Sequence, residues 1–367
     1  MKNNLREMMI FTPEAPRPLA PLSVAAWGYI CGILGSILFA MKAVLIKMAY
    51  RAGEALPDTT SSGTSIEALE PITLMVLRMG FALPVYGLIL LWLIQRKRKS
   101  ALAPVTGENS SKPPTAFNTI LCLKAMALGA LCYYGCAFLD FTGLLYITAQ
   151  LERMLLFTYP IFVMILGALF FGRKLSIWSI STIILAYLGI TIIFLGGDIA
   201  SGENVLLGSV LILGTALLFA IFQLLAVDLI KQMGSEMFTC IAMISATLVV
   251  FAHFLIANGG NIDPLYHLSY EVYILGLLLA FLATLLPSFL VNLALGRIGA
   301  QAVAILGMIG PIATIIAAIK ILNEPFGWLD GVGTLLVIVG ISLYTIFDKR
   351  SRKSPEPSPK KDYTIAK

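Results

Sequence analysis

Between residues 27 and 347 the chain is a succession of continuous apolar runs separated by short polar or charged stretches. The runs do not alternate with period two, as lipid-facing barrel strands do. Each is about 20 residues long, the length a helix needs to cross a hydrocarbon core of ~30 Å. The pattern predicts spans at 27–50, 72–94, 119–141, 149–171, 177–195, 205–230, 237–257, 273–295, 302–321 and 328–347. The expected fold class is therefore an all-α polytopic membrane protein with ten transmembrane helices.

Composition agrees with the pattern. Hydrophobic residues make up 58% and charged residues 13%, against about 45–50% and 25% in soluble domains. Mean hydropathy is +0.89, and a soluble core of this size does not hide so much apolar surface, whereas lipid solvates it directly. Charge then sets the expected topology. With both termini cytoplasmic, the inner segments hold Lys2, Arg6, Arg17, the run Arg96-Lys97-Arg98-Lys99, Lys112, Arg173, Lys174, Lys231 and Arg297, and seven further cations after 348. The outer connections hold Arg51 alone, beside ten acids from Glu54 to Asp330. That asymmetry is the positive-inside rule. The net charge of +6 is thus a topology signal, and no nucleic-acid partner is expected. Residues 1–21 carry four prolines and no long apolar stretch before a cleavage site, so a tail is expected there and no signal peptide. The polar Ser/Pro/Lys stretch at the other end is expected to be disordered.

The chain repeats itself. A shift of 151 positions lays Ile147, Ala149 and Gln150 on Ile298, Ala300 and Gln301, Pro160-Ile161 on Pro311-Ile312, and Gly189-Ile190 on Gly340-Ile341. Leu and Ile coincide by chance in so apolar a chain; a polar Gln, a Pro and a Gly in one register are informative. Leu38-Phe39-Ala40 matches Leu218-Phe219-Ala220 at a shift of 180, the excess lying mostly in the polar loops 51–71 and 95–118. Each copy then holds five spans, and an odd number forces the second copy to insert upside down. Two inverted five-helix repeats are an architecture of alternating access. The expected division is a cytoplasmic tail at 1–24, repeats at 25–197 and 203–348, and a second tail at 349–367.

Pro311, Leu322-Asn323-Glu324-Pro325, Gly331, Gly333 and Gly340 together resemble the P…LGEP…G…G signature of EamA-type permeases of the drug/metabolite transporter superfamily. Glu70-Pro71 followed by Arg78 is similar to that family's second-span pattern. The first copy departs from it: Phe171-Gly172-Arg173-Lys174 stands where the family usually shows a Gly-Glu pair. The resemblance implies a solute cavity between the repeats and export of small metabolites or drugs.

Charged residues inside the spans carry the candidate chemistry, because an ionised group in hydrocarbon costs about 2.5 kcal/mol or more and faces a cavity or a partner. Arg78 lies six residues into an inward-running span, about 9 Å deep. Glu152 and Arg153 lie three and four residues into theirs, Lys42 past the middle of the first, and Asp140 at the rim. Two readings fit these charges: a vestibule binding solute or a coupling proton, or an ion-pair network locking helices together. Adjacent helical residues diverge by about 100°, so Glu152 and Arg153 are expected to find partners elsewhere. Among them Glu152, matched by Val303 in the second copy, is the leading candidate for coupling. Gln150 and Gln301 are symmetric candidates for the cavity or for helix–helix hydrogen bonds. Pro160 and Pro311 are expected to break their helices. Gly28-x-x-x-Gly32 suggests close helix packing.

Enzyme chemistry finds no footing. The five cysteines all fall in spans and no histidine lies near Cys132 and Cys136, so no metal site is expected. G-x-S-x-G, P-loop and H-E-x-x-H motifs are absent. No cofactor is expected, and energy would come from an ion gradient, with protons the candidate coupling ion. The expected function is a secondary transporter of small organic solutes in a bacterial-type inner membrane, an exporter by resemblance. The alternatives are a scaffold or sensor on the same fold, whose tails and 95–118 loop would be contact surfaces, and an intramembrane enzyme.

Overall fold

The computed structural model describes residues 22–54, 69–102, 119–171, 177–196, 204–307 and 309–353. The expected N-terminal tail up to residue 21, most of both long loops, the Gly172-Arg173-Lys174 link and the chain beyond 353 lie outside the described residues. The described chain is helical throughout, with no strand. In order come α1 (Leu22–Glu54), α2 (Pro71–Leu102), α3 (Thr119–Leu128), a π-turn, α4 (Tyr134–Tyr146), α5 (Ala149–Leu156), α6 (Tyr159–Phe171) and α7 (Ile177–Gly196). Then follow α8 (Val205–Met233), α9 (Ser235–Ala257), a 3-10 turn, α10 (Tyr270–Ala280), a π-turn at Phe281–Leu285, α11 (Leu286–Gly307), α12 (Ile309–Ala317), a π-turn at Ala318–Leu322 and α13 (Trp328–Lys353).

Seven stretches among the described residues are long and apolar enough to cross a membrane. Three shorter apolar helices, Ile184–Gly196, Ile309–Leu322 and Trp328–Gly340, fall inside the expected fifth, ninth and tenth spans. Several ends differ from the expectation. The first helix begins at Leu22, inside the expected 1–24 tail, α2 carries the basic run at 96–99 on to Leu102, and α13 runs to Lys353, past the expected boundary at 348.

The packing brings distant parts of the sequence together. The most intimate contacts join α7 to α13 and α1 to α11; next come α4 with α8, α2 with α9, α1 with α12 and α6 with α8. Glycines permit the closest crossings. A Cβ on Gly189 would stand 2.5 Å from the Gly333 carbonyl oxygen, and one on Gly333 would stand 2.7 Å from that of Gly189, so α7 and α13 touch backbone to backbone. On α1, Gly28 and Gly32 admit Ile298 and Leu306 of α11, where a Cβ would meet side-chain carbons at 2.6 and 2.5 Å. In lipid such contacts act through dispersion, since no hydrophobic drive separates helix from tail.

Two connections that the repeat makes equivalent are built differently. Between α4 and α5 the chain breaks at Ile147-Thr148, both in extended conformation, and the Thr148 hydroxyl caps α5 by accepting from Leu151 N–H. At the matching place α11 runs straight through residues 296–301, where a connection between the eighth and ninth spans was expected. Gly299 replaces Thr148 in that register and has no side chain to cap a new helix. α11 is described as far as Gly307 and α12 from Ile309.

Candidate functional site

The fourth span is two helices. α5 ends at Leu156, Phe157 and Thr158 turn, and α6 restarts at Tyr159. Pro160 is the second residue of α6, a position where a missing N–H leaves no intrahelical bond unmade, and Pro311 lies in α12. All eight residues of α5 are buried. A short helix buried on every side, with Glu152 and Arg153 at its middle, is the most polar segment at depth in the described chain.

Four charged side chains meet there. Lys42 of α1 places Nζ 2.8 Å from Asp140 Oδ2 of α4 and 3.9 Å from Glu152 Oε1. Arg153 Nε lies 3.8 Å from Glu152 Oε2. Glu152 is wholly buried and Asp140 is 1% exposed, with Arg153 at 5% and Lys42 at 8%. Glu152 and Arg153 each find partners elsewhere, as their divergence on the helix required, while lying close enough to each other for charge attraction and too far for a hydrogen bond. Arg153 is held instead by Thr314 Oγ1 of α12 at 3.2 Å and by the carbonyls of Phe39 and Ala40 at 3.1 and 3.3 Å. Thr314 in turn donates to Ala40 O at 2.9 Å. The Phe39 ring lies 5.7 Å from both Lys42 Nζ and Arg153 Cζ, within cation–π range.

Arg153 is therefore hydrogen-bonded, whereas Lys42 and the two carboxylates meet as ion pairs. Lys42 approaches Asp140 closely in distance but outside hydrogen-bonding angles. Among the described residues no oxygen of Asp140 or Glu152 has a hydrogen bond. Buried carboxylates ordinarily accept several. Two acceptor-only groups sharing one ammonium in a dry site have spare capacity for a proton, which would turn one of them into a donor.

Next to the cluster, Glu324 caps α5 from the far end of the sequence. Its Oε1 accepts from Ala149 N–H at 2.9 Å and its Oε2 from Gln150 N–H at 3.3 Å. A carboxylate on a helix N-terminus is favourable for its charge and for the orphan N–H groups it satisfies. Gln150 belongs to this cap and not to the charged cluster: its Nε2 donates to Pro325 O at 3.1 Å, while Oε1 is buried without a partner. The turn that presents Glu324 needs Asn323 at φ 52°, the left-handed region, and Arg51 Nη1 fixes Leu322 O at 2.6 Å. Asn tolerates that backbone where a glycine is the ordinary solution, and Asn323 stands at the Gly of the L-G-E-P signature.

Arg78 stands apart from the other candidates. Its Nε donates to Thr284 Oγ1 at 3.0 Å and its guanidinium lies 5.3 Å from the Phe141 ring, beside Asp140 in sequence but outside ion-pair distance of it. Gln301 lies in α11, and its side chain is outside the described residues. The sequence placed Asp140 only at the rim and Glu324 only in the signature and an outer connection, and it did not single out Thr314. A carboxylate one turn from a span's end reads as interfacial, a threonine in an apolar run is inconspicuous, and Glu324 reads as an outer-loop charge.

The chain matches the EamA-like transporter family twice, over residues 26–195 and 206–346. It is 27% identical over 321 residues to the uncharacterized transporter YcbK of Bacillus subtilis (strain 168), covering 86% of this chain and 93% of that protein. It is likewise 27% identical over 226 residues to the uncharacterized transporter YcxC of the same organism, covering 60% of this chain and 72% of that protein. A solved crystal structure, described no further than as that of a protein, superposes with a TM-score of 0.53 at 13% identity, covering 90% of this chain and 99% of the other. That likeness shows the fold alone. With both copies matched and two relatives that are named transporters, the chain belongs to the EamA-like transporter family and is a multi-pass membrane transporter.

Proposed function

We propose that the protein is a secondary transporter of small organic solutes, an exporter working by alternating access between two inverted five-helix repeats, with protons as the coupling ion. The two family matches, 26–195 and 206–346, support the repeats at 25–197 and 203–348. The helix pairings support a two-fold relation between them. If the spans of one copy are exchanged for those of the other, the α1–α11 contact becomes α4–α8, and α1–α12 becomes α6–α8; α7–α13 and α2–α9 map onto themselves. Ten spans with both ends in the cytoplasm follow from the charge asymmetry.

One observation carries the coupling role: the Lys42–Asp140–Glu152 cluster is buried, and its carboxylate oxygens lack hydrogen bonds. A static lock would give its carboxylates hydrogen bonds, because a buried acceptor left without one costs about 1–3 kcal/mol. Glu152 is the residue we assign to the proton. It sits on the short helix between two breaks, the segment best placed to tilt when the repeats rock, and only one copy has it. The scaffold or sensor reading predicts no flux.

Glu152→Gln keeps the shape and removes the titrating oxygen. In vesicles this variant should insert in normal amount, lose solute movement driven uphill by a proton gradient, and retain exchange of solute down its own gradient. A lowered yield of folded protein whose surviving molecules remain fully proton-coupled would make Glu152 structural and end the proposal.

A further inference from the structure

The ion pairs of the first four spans leave cations over. Lys42, Arg78 and Arg153 face two carboxylates, Asp140 and Glu152, and the ion pairs at 2.8, 3.9 and 3.8 Å all involve Lys42 or Arg153. Half-buried Lys47 of α1 takes no part in them, and neither does Arg78. Among the described residues no carboxylate lies within ion-pair distance of it, and one hydrogen bond, to Thr284, uses one of its five N–H donors. A guanidinium inside a membrane span without a counter-ion is an expensive arrangement to leave idle.

Arg78 does not reach lipid to relieve that cost. The residues one turn to either side, Leu74, Met75 and Ala82, are 0–1% exposed, as is Tyr86 two turns on. Its contacts are Thr284 on the π-turn before α11 and the Phe141 ring on α4. Yet Arg78 itself is only half-buried. The Phe141 ring covers one side of the guanidinium. Thr284 cannot serve as a hidden anion, since its hydroxyl proton goes to Leu279 O at 2.9 Å. The Tyr86 hydroxyl is also buried without a hydrogen bond; neighbouring Ser288 spends its own proton on Thr284 O at 2.6 Å. A solute seated on Arg78 would find that second unused polar group farther along the same helix.

We propose that Arg78 is the recognition group for an anionic substituent of the transported solute, a carboxylate or a phosphate. The planar fork of the guanidinium suits either anion through paired N–H donors, and the Phe141 face excludes water from one side. The solute's charge then supplies the close counter-ion that Arg78 lacks. This inference rests on the transporter reading and names the solute class for it.

The test is thermal unfolding of the purified full-length protein at matched ionic strength. The probes are butyrate, methyl phosphate and inorganic phosphate, set against butylamine and butanol. At least one of the three anions should stabilise the wild type saturably, and which one does so separates carboxylate from phosphate recognition. Its apparent Kd should weaken at least tenfold in Arg78→Gln and less in Arg78→Lys, which keeps a point charge without the fork. Arg78→Lys also serves if Arg78→Gln does not fold. Anion binding unchanged in both Arg78 variants, stabilisation by the amine or alcohol alone, or no stabilisation by any anion would each overturn the inference. Proton-driven flux of an amine in that last case would leave the transport reading standing and remove only this one.

Discussion

At the scale of single residues, partnering separates the roles. Lys42 and Arg153 are held by ring faces, carbonyls and carboxylates, whereas Asp140 and Glu152 lack hydrogen bonds. Lys42→Met removes the ammonium that both carboxylates share and should cost about 3–5 kcal/mol. Thermal unfolding should show that loss partly restored in Lys42→Met/Asp140→Asn, which removes one of the stranded charges. Glu324→Ala strips two N–H bonds from α5 and should cost about 1–2 kcal/mol, with Glu324→Gln closer to the wild type. Asn323→Val puts a β-branched residue at φ 52° and should destabilise by about 1–2 kcal/mol, while Asn323→Gly should be close to neutral. Lys42, Glu152 and Arg153 were legible because a charge in an apolar run is conspicuous. Their pairing was not, because it depends on how α1, α4 and α5 converge. Glu324 was misread as a surface charge because its partner lies 175 residues away.

At the scale of elements, the apolar runs located the spans well and their internal breaks poorly. The break at 147–148 follows from a capping threonine and from a carboxylate supplied by the other end of the chain. Neither is a periodicity, so hydropathy does not register them. Continuity of α11 through 296–301 escaped for the opposite reason: two glycines and an arginine look like a connection, yet nothing there caps a new helix start. The glycine contacts give an element-scale test. Gly189→Leu cannot be accommodated against the Gly333 carbonyl, so α7 and α13 must separate. Its unfolding temperature should fall well below that of Gly87→Ala, where a new Cβ meets nothing within 4 Å. Equal effects at the two positions would argue against the α7–α13 crossing.

At the scale of the whole molecule, the shift of 151 residues was the most informative feature of the sequence. It singled out the segment around Pro160 and its mate around Pro311, and the structure brings α5 and α12 into contact through Arg153 and Thr314. The topology is checked by single cysteines at Thr60 and Lys112 in a cysteine-free background. A membrane-impermeant maleimide should label the first from outside intact cells and spare the second. Labelling of both from one side would rule out ten spans with cytoplasmic ends.

The central claim is that solute movement and proton movement are one process, and it is tested most directly by recording both together. Full-length protein in liposomes, with a pH-sensitive dye in the lumen, is given a transported solute from one side with no imposed gradient of protons. The account expects the luminal pH to shift in step with solute uptake, in fixed ratio, and the shift to vanish in Glu152→Gln while solute exchange continues. Solute uptake that leaves the luminal pH unchanged in the wild type, with permeant counter-ions clamping the potential, would contradict it.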